Sequence, residues 1–226
     1  MHMTQTQPRA AESGNMIFFI LLAIVLVGLV TAALRSGGIE GANIDREDMV
    51  IKVAQVRQNA SELERAVALI IENGTSETDL SFAPNDASAL NDYGTYNTNP
   101  TAEVFNPKGG GAIWRQPPSG VNDGSHWEFY GDTAAPGIGS QEADLIAVLP
   151  NVTATFCAEV NRINGQTNPA DTATCLYPGV RFVPATRPFS SSPNTMDTAT
   201  FSNGRGSEAC VICGANLHYY HVLMGR

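Results

Sequence analysis

The sequence predicts an α+β protein with an N-terminal transmembrane helix, a glycine hinge, and an amphipathic helix packed on an antiparallel β-sheet domain that carries a short second helix. Three observations lead there. Residues 16–34 are nineteen consecutive positions without a charge and with a single hydroxyl, Thr31. Residues 49–70 repeat apolar or small side chains at helical spacing. After Asn73 the chain is broken by Gly, Pro, Asn, Asp, Ser and Thr into short apolar pieces, the texture of strands and turns.

Taken in order, residues 1–15 are polar and unpatterned and read as a leader or cytoplasmic tail. As a helix, 16–34 would span roughly 28 Å at ~1.5 Å per residue, close to the thickness of a bilayer's hydrocarbon core. Met16, Phe18, Phe19, Leu22, Val25 and Leu29 are the candidate side chains for membrane contact and assembly. The run reads as an uncleaved anchor rather than a secretory signal. Its leading segment offers only Arg9, partly offset by Glu12, and it continues past the candidate cleavage residues Val30-Thr31-Ala32. Arg35, Arg46 and Lys52 follow the run, so positive charge does not set its orientation. The cysteines favour export, which places the N-terminus inside and the remaining chain outside, with the protein held in the inner membrane as a single-pass protein.

Gly37, Gly38 and Gly41 fall within five positions, each costing about 1 kcal/mol in a helix relative to Ala, and predict a hinge over 35–44. Next, Met49, Val53, Val56, Ala60, Leu63, Val67 and Ile70 alternate spacings of four and three, which lays them along one stripe of a helix over 46–72. Asp45 can N-cap it, Glu47 and Asp48 complement its positive end, and Gly74 can close it in a left-handed conformation. Arg57, Glu62, Glu64 and Arg65 fall off the stripe. The four heptads lack strong flanking charge pairs, so the stripe is expected to pack on its own domain rather than form a coiled-coil seam. Strands are expected at 78–82, 112–115, 127–130, 145–149, 180–183 and 217–224. Val152, Phe156, Val160 and Ile163 predict the second helix over 152–163, and 184–206 reads as a long exposed loop. The domain beyond the hinge, 45–226, is long enough for one core.

Net charge is −9 with thirteen basic residues and no basic run, which argues against nucleic acid as a partner. Cys157, Cys175, Cys210 and Cys213 all follow the apolar run, and an even count in an exported segment reads as two disulfides of open connectivity. The pattern Cys210-x2-Cys213-x4-His218-x2-His221 resembles a zinc set, but histidines three apart on a strand face opposite ways, so no metal is expected. A disulfide and two ordinary histidines is the plainer reading. His126 and Glu128 share a strand face yet lack a nearby nucleophile. Gly109-Gly110-Gly111 lacks the order of a phosphate-binding loop and reads as a tight turn. No catalytic motif is present, and neither an enzyme nor a cofactor is expected. Three glycosylation-like triplets begin at Asn59, Asn73 and Asn151. Trp114, Trp127 and Tyr130 are expected in the core in preference to a binding surface.

A polar leader ending in Gly14, an apolar helix, an amphipathic helix and a β-rich domain with cysteines resembles the layout of type IV pilins and pseudopilins. Gly14-Asn15-Met16-Ile17-Phe18-Phe19-Ile20-Leu21, Asn106-Pro107-Lys108-Gly109-Gly110-Gly111, Leu149-Pro150-Asn151-Val152 and the segment 219–226 resemble uncharacterised pilin-like proteins of alphaproteobacteria. The resemblance implies processing after Gly14, with Asn15 as the new N-terminus. It also implies a structural role as a minor subunit of a pilus or secretion-related filament, with other pilin-like subunits or envelope assembly proteins as partners. Pilins begin the mature chain with Phe or Met and carry Glu at its fifth position, where this chain has Asn15 and Phe19. The alternative function is an anchored, non-polymerising exported module that binds glycan or an envelope protein.

Overall fold

The computed structural model describes residues 14–36, 39–86, 93–166, 170–171, 181–186, 188–195 and 206–226. The chain divides into two units, Met1–Glu47 and Asp48–Arg226. In the first unit, helix α1 covers Gly14–Ser36. Its side chains are described over 17–32, sixteen residues, all of them exposed. Over the described residues no helix is long and apolar enough to cross a membrane. Thr31 Oγ1 bonds back to the carbonyls of Val27 and Gly28 at 2.9 and 3.0 Å, which satisfies the one hydroxyl of the run within its own helix.

Helix α2 covers Ile39–Glu72, seven residues longer at its start than expected. Of the expected 35–44 hinge, Arg35 and Ser36 close α1, 39–44 open α2, and 37–38 lie outside the described residues. Gly41 is tolerated because a single glycine costs only about 1 kcal/mol in a long helix. Asp45 therefore lies inside α2 and does not cap it. The other end is as read: Gly74, at φ 89°, donates to Ile71 O and Thr75 to Ile70 O, the paired bonds that close a helix through a left-handed residue.

The second unit is built on a mixed sheet of strand order β3-β5-β6-β2-β1-β4. Its body is four antiparallel strands: β1 (Glu128–Ala134), β2 (Asp144–Leu149), β5 (Glu208–Cys213) and β6 (Asn216–Met224). The expected all-antiparallel sheet is corrected at its edges. There β3 (Ala170–Asp171) pairs in parallel with β5, and β4 (Asn194–Thr195) in parallel with β1. Strands expected at 78–82 and 112–115 do not form. Glu77–Asp79 is a 3₁₀ turn capped by Ser76, Ser81 makes one isolated bridge with Glu103, and 112–115 has no regular secondary structure. Of 180–183, the described part meets the sheet through Phe182 N–H donating to Phe129 O at 2.8 Å.

Both sheet faces are buried. One face presents Phe129, Leu145, Ala147, Leu149, Cys210, Tyr219 and Leu223 to the α2 stripe Val53, Val56, Ala60, Leu63, Val67 and Ile70. Met49 packs at the rim of that cluster. Helix α3 (Ala154–Ile163), N-capped by Thr153, adds Phe156, Cys157 and Val160 to the same core. Phe82, Tyr93, Phe105 and Phe182 join from loops and surround Phe129. The opposite face holds Tyr130, Ile146, Val148, Val211, Cys213, Tyr220 and Val222. Trp127 and Tyr130 are buried and Trp114 is half-buried against the main core, as expected of them.

The loop 96–111 is organised by Glu103, which is fully buried and accepts from Asn97 N, Asn99 N and Asn106 Nδ2 at 2.9–3.0 Å. It delivers the triple glycine against α2. A Cβ on Gly110 would lie 2.7 Å from both Ala66 Cβ and Val104 O, so glycine is what lets the loop close onto the helix.

Candidate functional site

A polar cluster joins α2 to the β5–β6 hairpin. Hairpin register sets Glu208 opposite His221. Both project to the α2 side, because Tyr219 and His221 share a strand face. Helix α2 contributes Arg57 and Glu64, seven residues apart and therefore on one side of the helix. Arg57 pairs with Glu208 at 2.6 Å, Tyr219 donates its hydroxyl to Glu208 Oε2 at 2.8 Å, and His221 Nε2 lies 2.8 Å from Glu64 Oε2. His221 Nδ1 is 3.5 Å from Glu208 Oε2.

Burial would raise the Glu208 carboxyl pKa, but His221, Tyr219 and the Arg57 charge outweigh it and hold the group at about 2. Burial would lower that of His221, yet the two carboxylates more than compensate and raise it above the ordinary imidazole value. Arg57, Glu208 and His221 of this cluster line an open groove of about 650 Å³ together with Ala54, Gln58, Ser61, Asn164 and Ser207. Its chemistry is ion pairing and proton binding. No signal short of the tertiary fold brings Glu64 to His221, 157 residues away. The one legible hint is that Arg57 and Glu64 fall off the apolar stripe.

The residues singled out in the sequence disperse. Gly14 and Asn15 open α1. Phe18, Phe19, Leu22, Val25 and Leu29 stand exposed along it, while the Met16 side chain lies outside the described residues. Cys157 and Cys210 form a disulfide, Cα–Cα 5.3 Å, that staples α3 to β5. Asn161 reinforces the joint by exchanging two hydrogen bonds with the Cys210 backbone, at 2.9 and 3.2 Å. Cys175 lies outside the described residues. Cys213 is buried on the other sheet face, so the C-x2-C pair is not itself a disulfide. The same three-residue offset on β6 sends His218 and His221 to opposite faces, and the zinc-like set cannot converge on one ion. Among the described residues no group of three or more His, Cys, Asp or Glu is disposed to hold a metal.

His126 and Glu128 also separate, because His126 precedes β1. His126 stacks on Trp114 with ring centroids 5.6 Å apart, whereas Glu128 accepts from Tyr130 at 2.6 Å and pairs with Arg181. Of the three glycosylation-like asparagines, Asn59 is buried on α2, Asn151 donates to Asp123 at 2.8 Å, and Asn73 is exposed. Compared with known protein families, curated proteins and solved structures, the chain matches none of them.

Proposed function

We propose that the chain is a membrane-held structural protein of the cell envelope, with 16–34 as a single-pass anchor in the inner membrane and Asp48–Arg226 as its exported domain. The observation that carries this reading is α1 itself. Twelve large apolar side chains between Ile17 and Val30 are 44–64 % exposed, with no charge among them. Leaving that surface in water would cost on the order of 10–20 kcal/mol. The uncharged run of the sequence extends three residues beyond the described 17–32, to the nineteen that a bilayer accommodates. Thr31, bonded to its own helix, adds no unsatisfied polar group.

The role is pilin-like: a minor subunit, or a membrane-held partner, of a filament or secretion apparatus. A helix whose apolar stripe supports a sheet, with a disulfide fastening the later part of the domain, supports that layout. Asn15 and Phe19, where pilins place Phe or Met and Glu, make anchoring rather than polymerisation the primary task. Producing cells are expected to retain the protein in membranes washed with alkaline carbonate, and protease added outside the inner membrane should remove the 48–226 unit. Intact mass of the retained protein reads processing directly, since loss of residues 1–14 supports cleavage after Gly14. Recovery of the protein in the soluble fraction after the wash would overturn the anchor.

A further inference from the structure

We propose that His221 is a pH-operated latch between α2 and the β5–β6 hairpin, closed when the imidazole carries two protons and half-released when it carries one. This stands apart from the anchor, since every group involved belongs to the Asp48–Arg226 unit. The geometry is the argument. One imidazole sits between two carboxylates on different elements, Glu64 of α2 at Nε2 and Glu208 of β5 at Nδ1. A doubly protonated ring donates from Nε2 to Glu64 at 2.8 Å and turns its second N–H toward Glu208 Oε2, 3.5 Å away, as an ion pair without a hydrogen bond. A neutral ring has one N–H, so whichever nitrogen loses its proton turns a lone pair toward a carboxylate oxygen. The hydrogen-bonded Nε2 keeps its proton, so the lone pair falls on Nδ1 and faces Glu208, while the 2.8 Å bond to Glu64 loses its charge assistance.

The other charged and titratable neighbours do not take over the task. Arg57 of α2 is already paired with Glu208, and Tyr219 of β6 spends its hydroxyl on the same carboxylate. Glu208 is therefore held by three partners while Glu64, half in solvent, has His221. Deprotonation consequently weakens the Glu64 side, the one that ties the helix, from a charge-assisted bond to a neutral one. His221 itself lines the 650 Å³ groove with Ser207, Glu208 and the α2 residues Ala54, Arg57, Gln58 and Ser61, so the latch controls how firmly that groove's helical wall is held.

The sign follows from the raised imidazole pKa. The latch stabilises fully below the unfolded value of ~6.5 and is lost as pH rises through the higher folded value. Glu208 stays ionised throughout that window. The test is amide hydrogen exchange of the full chain in detergent at about pH 5.5 and about pH 8.5, normalised for intrinsic exchange, alongside His221→Gln and Glu64→Gln. Protection over residues 54–64 is expected to fall roughly threefold from the lower to the higher pH in the native chain, the size expected of a charge-assisted bond discounted for exposure. Both variants should abolish that pH dependence. Proton NMR titration of the native chain should place the His221 pKa above 6.5. Unchanged protection in the native chain, the same pH dependence in His221→Gln, or a His221 pKa below 6.5 would each overturn the latch. If His221→Gln does not fold, Glu64→Gln and the native titration decide the matter alone.

Discussion

Phe129→Ala is expected to destabilise the Asp48–Arg226 unit by about 3–5 kcal/mol, the largest effect of any single truncation in this core. Phe129 is fully buried at the point where loops, sheet and helix meet. Its ring stacks on Phe82 at 4.0 Å, and Tyr93 approaches its edge at 5.5 Å. Its backbone accepts from Phe182 N–H and its N–H donates to the Tyr93 hydroxyl at 3.0 Å, so neighbours cannot slide into the vacated volume without breaking bonds. Tyr93, whose hydroxyl burial pushes far above the ordinary phenol range, would lose its apolar surroundings as well. Urea or thermal unfolding of the full chain, followed by near-ultraviolet circular dichroism, measures the loss. For a unit of this size the melting point should drop by on the order of 10 °C. A change below about 1 kcal/mol would show that these rings are not packed as described.

Removing the staple comes next in size. The double substitution Cys157→Ala with Cys210→Ala frees a loop of 53 residues, for which chain entropy gives about 4 kcal/mol. Both sulfurs are fully buried between α3 and β5, so gentle reductants should leave the native protein intact and reduce it only after unfolding. Peptide mapping without reduction should recover Cys157 joined to Cys210. A peptide pairing Cys210 with another cysteine would refute the joint, and an unchanged urea midpoint in the double variant would refute its energetic weight.

The helices were readable because their periodicities are local. The α2 stripe from Val53 to Ile70 packs as its spacing predicts, and Val152, Phe156 and Val160 placed α3 within two residues. β2 was readable as the apolar run Leu145–Leu149, and β6 as a run of aromatic and aliphatic residues interrupted by His218 and His221. β5 was not: Glu208-Ala-Cys-Val-Ile-Cys213 is covered on both faces, so it lacks the alternation of a half-exposed strand, and its cysteines invite reading as a motif instead. Leu80, Phe82 and Ala112 lie in segments expected to be strands, and they are buried without forming one. They pack from loops, since burial needs only apolar side chains whereas a strand needs a partner. The polar cluster was illegible for the same reason on a larger scale, because Glu64, Glu208 and His221 meet only after α2 has docked on the sheet.

The anchor is tested most directly by hydrogen exchange of α1 with the full chain reconstituted in lipid nanodiscs. In hydrocarbon, water cannot reach the helix backbone, whereas an isolated helix of this length in water opens readily. Amides over 20–32 should remain unexchanged for hours in the bilayer and exchange within minutes at the helix ends. Rapid exchange along the whole of 20–32 would contradict the anchor.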